Sequence, residues 1–138
     1  MSNRSSTAAD LTVDPCAKSI PSLKAKLVSP VSVTRFFYGC YVPARIDRRD
    51  PRTSPGFTQL VRFPLRILII MAEWDTLALE AEELAERLRQ LPGWHEVSQR
   101  MAGCAHGWGK NLQLTSPAHL LEAKEQAYRM AVEMSNEK

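Results

Sequence analysis

The chain has 138 residues, 44% hydrophobic and 24% charged, an ordinary composition for one globular domain. No apolar run approaches the roughly 20 residues that cross a bilayer, and residues 1–15 lack the hydrophobic stretch of a secretory signal, so a cytoplasmic setting without a membrane partner is expected. The net charge of +3 divides into +7 over residues 1–72 and −4 over residues 73–138, but no nucleic-acid-binding module accompanies the basic half, and no nucleic-acid partner is expected.

Residues 1–30 are rich in Ser, Thr, Ala and Lys, with Pro15, Pro21 and Pro30 as breakers. They read as an irregular N-terminal segment with at most a short helical piece at residues 23–27, and residues 31–138 read as the domain proper. From Ser32, a plausible cap, the spacing of Val33, Phe36, Phe37, Cys40 and Tyr41 predicts the inward face of a short helix that Pro43 ends. Residues 45–57 are dense in charge, Pro and Gly and read as a solvated, ion-paired loop with turns at Asp50-Pro51 and Ser54-Pro55.

Residues 67–72, ILIIMA, form an unbroken β-branched apolar run with no alternating polar position. The pattern is that of a strand of a parallel sheet, buried on both faces. It stops at Glu73-Trp74-Asp75. A helix then follows, with an apolar stripe at Leu77, Ala81, Leu84, Leu88 and Leu91, acidic residues early, Arg87 and Arg89 late, and a Glu83–Arg87 pair. Pro92-Gly93 stops it, and Trp94 and His95 lead to a short second strand at residues 96–101. Residues 103–109, GCAHGWG, read as a loop flanked by small residues. Ser116-Pro117 starts a last helix whose inward face is Leu120, Leu121, Lys124, Ala127, Tyr128, Ala131 and Met134.

Chemistry in open parallel sheets gathers at the carboxyl ends of the strands. Asp75 ends the first strand and His106 follows the second, so the two can meet across neighbouring strand ends. A carboxylate there would accept a hydrogen bond from one imidazole nitrogen, fix the tautomer and stabilise the imidazolium formed when the other nitrogen takes a proton. Other roles stand beside this one. Asp75 also suits a helix N-cap; Glu73 suits a local hydrogen-bond partner; His95 and His119 suit the surface. Cys104 is a nucleophile only in principle, since a small buried thiol fits its setting better. No cysteine–histidine spacing resembles a zinc site, and neither metal nor cofactor is expected. The three cysteines, an odd number without a CxxC, suit reduced thiols.

Glu73-Trp74-Asp75-Thr76-Leu77 and the later run from Gly103 to Trp108 resemble, in order, two motifs of the α/β-hydrolase fold. They are most similar to the C-terminal portion of hormone-sensitive-lipase-like esterases of fungal type. There an E-x-D-x-L pattern supplies the catalytic acid and G-x-x-H-[GA]-[FW] the catalytic histidine. Asp75 and His106 match these residues; Thr76 stands where the family usually has Pro. Residues 47–55 resemble the segment that precedes the acid strand. The resemblance implies a partial α/β-hydrolase domain, mainly two parallel strands with about three helices, acting on carboxylic esters, with a small acylated product of secondary metabolism as the substrate class.

The same family carries its nucleophile in G-x-S-x-G, after an oxyanion motif of the HGGG type. The six glycines form neither, and no serine stands between two of them. Loss of the triad serine in a measured protease lowers kcat on the order of 10⁶-fold. The isolated chain is therefore expected to be nearly inactive as a serine esterase. Three expectations follow: one piece of a split enzyme whose partner chain supplies the serine, a non-catalytic or pseudo-enzyme interaction protein that self-associates or docks on another hydrolase, or a truncated gene product.

Overall fold

The computed structural model describes residues 10–18, 30–110 and 112–136. The helical piece expected at residues 23–27 lies outside them. Five principal elements occur in the order α1 (Val31–Tyr41), β1 (Arg66–Trp74), α2 (Ala78–Arg89), β2 (His95–Ala105) and α3 (Ala118–Asn136). β1 and β2 form a parallel two-stranded sheet. This is the partial α/β architecture that the apolar run and the motif order implied. The β1–α2–β2 crossover arises because α2 follows the strand with little intervening loop and returns the chain through Gly93, whose φ of +85° a residue with a Cβ rarely adopts.

The register runs regularly from Arg66↔His95 to Ala72↔Met101. Ile70, Ala72 and Met101 therefore share one face of the sheet, and Met71 and Arg100 the other. α3 covers the first face: Ala72, Met101, Cys104 and Ala123 form its buried cluster, joined by Ile70, Trp108, Leu120, Ala127 and Met130. α2 lies against the other face, where Ala85 shares a concavity with Met71 and Arg100. Its buried residues are Ala78, Leu84, Ala85 and Leu88, and Leu88 is wholly inaccessible.

Several details depart from the sequence pattern. β1 is buried only at Met71 and Ala72, and residues 67–70 remain partly exposed. A two-stranded sheet gives β1 one neighbour, so its other edge has no strand among the described residues. β2 is longer than expected and includes Gly103-Cys104-Ala105. The cap position of α1 is Pro30 rather than Ser32: the Pro30 carbonyl accepts from the N–H groups of Val33 and Thr34. Its aromatic stripe points outward, for Phe36, Phe37, Cys40 and Tyr41 are exposed and Tyr38 is the buried residue. α3 turns inward along Leu120, Ala123, Ala127 and Met130, leaving Tyr128 exposed. The small Ala123 allows the helix to sit close against the sheet.

Before residue 31, residues 10–18 pack against the rest of the body. Asp14 caps the short helical turn Pro15–Ala17 through the Cys16 N–H, and Leu11 joins Tyr38 and Val42 in a second small core. Lys18 is buried beside it. Its ammonium forms an ion pair with Glu80 of α2 and donates to the Tyr38 hydroxyl and the Asp10 carbonyl, each at 2.8 Å. Glu80 also accepts from the Asp10 N–H at 2.8 Å. The loop over residues 45–57 is ion-paired, as at Asp50–Arg52, but not wholly solvated: Ser54 is fully buried and accepts from the Leu11 N–H at 2.9 Å.

Candidate active site

Asp75 stands directly after β1 and His106 directly after β2, so two parallel strands deliver both side chains to the same edge of the sheet. His106 Nδ1 and Asp75 Oδ2 are 2.9 Å apart. The other carboxylate oxygen, Oδ1, accepts from the Leu77 N–H at 3.0 Å. Of the two roles open to Asp75, it holds the imidazole but is not the N-cap of α2. That position falls to Leu77, which makes no side-chain capping bond, and the Asp75 carboxylate instead closes the turn that leads into the helix. With Nδ1–H donated to the carboxylate, Nε2 becomes the basic nitrogen.

Exposure separates the partners usefully. The Asp75 side chain is 14% accessible and that of His106 47%. The carboxylate is fixed and sheltered while the ring reaches solvent. The hydrogen bond to Asp75 raises the imidazole pKa above its ordinary value, with a further charge attraction from Asp75; partial burial and the neighbouring Lys110 ammonium act in the opposite sense. Lys110 was not legible as a neighbour from sequence, because its approach depends on the turn at Gly107, where φ is +71° and the Lys110 N–H returns to the Gly107 carbonyl.

The strands reach this arrangement through an irregularity. After Ala72↔Met101 the next pair is Trp74↔Ala105, so Glu73 alone faces residues 102–104. Gly103 takes a φ of +70°, and an added Cβ would meet the His119 ring at 3.2 Å. Its N–H donates to Glu73 Oε2 at 2.7 Å, the local bond expected of Glu73. His119 is an exposed residue, like His95, yet its ring closes over this glycine.

Cys104 is fully buried, and burial together with the Glu73 charge raises its thiol pKa. A thiol held protonated and out of contact with solvent is not poised as a nucleophile. Among the described residues, no group of three His, Cys, Asp or Glu side chains is arranged to hold a metal ion, and no helix is long and apolar enough to cross a membrane. Two shallow concavities, one between α2 and β2 and one beneath Gly56 and Phe57, include neither Asp75 nor His106.

A fold of this kind with an aspartate and a histidine at neighbouring strand ends defines a class. The chain belongs to the alpha/beta hydrolase fold family, whose model matches residues 8–110. The match includes both site residues and begins within the segment that precedes α1. Comparison with curated proteins and with solved structures returned no match.

Proposed function

We propose that this chain supplies the acid–base half of a carboxylic-ester hydrolase of the hormone-sensitive-lipase-like group. His106 acts as the general base and then the general acid, and Asp75 orients it. The observation that carries this is the 2.9 Å contact between His106 Nδ1 and the sheltered Asp75 carboxylate. The substrate class is a small acylated molecule, in keeping with the resemblance to fungal tailoring esterases of secondary metabolism. Residues 1–138 contain no G-x-S-x-G or HGGG pattern; in this reading a partner chain supplies the nucleophilic serine and the oxyanion donors.

The experiment is hydrolysis of short p-nitrophenyl esters by the chain alone and mixed with a neighbouring-gene hydrolase chain that carries a serine motif. Near-background rates alone and a gain in the mixture that His106→Ala abolishes are expected. No gain, or a gain unaffected by His106→Ala, overturns the proposal.

A second function, a non-catalytic interaction protein in a cytoplasmic setting, is favoured by other observations. β1 has an apolar sequence but one strand neighbour among the described residues, and α1 exposes Phe36, Phe37 and Tyr41. Such surfaces mark association sites. Size-exclusion chromatography separates the two: a concentration-independent monomer that binds no hydrolase chain overturns this second reading.

A further inference from the structure

The geometry points to Glu73 as a positioning residue, whose carboxylate, bonded to the Gly103 N–H, locks the strand ends into the offset register at which Asp75 and His106 meet. The inference rests on the acid–base pair proposed above and names what holds it together.

Had the regular pairing that ends at Ala72↔Met101 continued, Asp75 would stand opposite Cys104. His106 would then lie two residues farther along its strand, about 6–7 Å away at the usual rise per residue. The observed pair Trp74↔Ala105 instead brings Asp75 level with His106, because two extra residues of β2 are taken up opposite Glu73. Taking them up requires the left-handed backbone of Gly103, and that turn removes the Gly103 N–H from the strand ladder. A partly buried N–H needs an acceptor. Glu73 supplies one at 2.7 Å, and a carboxylate acceptor makes this a strong bond. Without it, slipping back toward regular pairing would satisfy the N–H and carry His106 away from Asp75. Glu73 has no part in the proton transfer itself; it acts through the register.

The test compares wild type, Glu73→Gln and Glu73→Ala by NMR, following the His106 ring through a pH titration and the Gly103 amide by hydrogen exchange. Glutamine keeps an acceptor oxygen but not the charge. The expected result is a His106 pKa above the ordinary value in wild type and in Glu73→Gln, falling toward that value in Glu73→Ala. In wild type the Gly103 amide exchanges slowly. A wild-type His106 that titrates at the ordinary value overturns the pair and this inference with it. A raised value that Glu73→Ala leaves unchanged overturns the positioning role alone, as does an equal fall in both variants, which would make the charge rather than the bond responsible. Should Glu73→Ala not fold, fast exchange of the wild-type Gly103 amide or a lowered His106 pKa in Glu73→Gln still overturns the role.

Discussion

Two of the small cores among the described residues are held together by different means. Beneath the candidate site, Ala72, Met101, Cys104 and Ala123 pack without a charged member. Beside α1, Leu11, Tyr38 and Val42 surround a lysine that is almost fully buried and paired with Glu80. The first is held by apolar area, which tolerates small rearrangements. The second depends on a charge whose burial is costly unless its partners stay in place. The site therefore sits on the more forgiving core, while the attachment of residues 10–18 to α2 hangs on a few polar contacts.

The sharpest way to break this contrast is to remove one half of the ion pair. Lys18→Ala leaves Glu80 buried without its cation and should destabilise the fold by about 3–5 kcal/mol, measured by urea denaturation. Lys18→Met with Glu80→Leu should recover most of the loss; equal losses in the single and double variants would show the two cores to be alike. Met101→Ala, in the apolar core, should lower stability by about 2–4 kcal/mol without detaching residues 10–18, as hydrogen exchange at Leu11 would report. Ser54→Ala removes the acceptor of the buried Leu11 N–H and should lower stability by about 1–3 kcal/mol, confined to the polar core.

The same contrast governs what could be read from the residues alone. β1, α2 and the order of Asp75 and His106 were legible because apolar runs, helical spacing and strand-end placement are local signals. The family's motifs then named the same two residues. The Lys18–Glu80–Tyr38 cluster was not legible, because it joins residues 20 to 62 positions apart with no shared periodicity. The outward face of α1 was misjudged for a related reason: aromatic spacing shows that a face exists, not what covers it.

The pH dependence of the site should be the smallest effect. Because Asp75 raises the His106 pKa in the folded chain, the stabilisation from the pair is fully present below the ordinary histidine value of about 6.5. It is lost as pH rises through the raised folded value. With the ring half exposed, it amounts to no more than about 1 kcal/mol. The stability gap between wild type and His106→Ala should therefore narrow between pH 6 and pH 9. In a complemented enzyme, the rate should rise with pH through a value above that of an ordinary histidine, since the base must be neutral.

The central claim, that Asp75 holds His106 as an oriented base, is tested most directly by the ¹⁵N chemical shifts of the His106 ring in the neutral state. The account predicts a proton on Nδ1 and a lone pair on Nε2 in wild type, with the Nδ1–H preference lost in Asp75→Ala. A wild-type ring protonated mainly on Nε2, unchanged when Asp75 is removed, would contradict it.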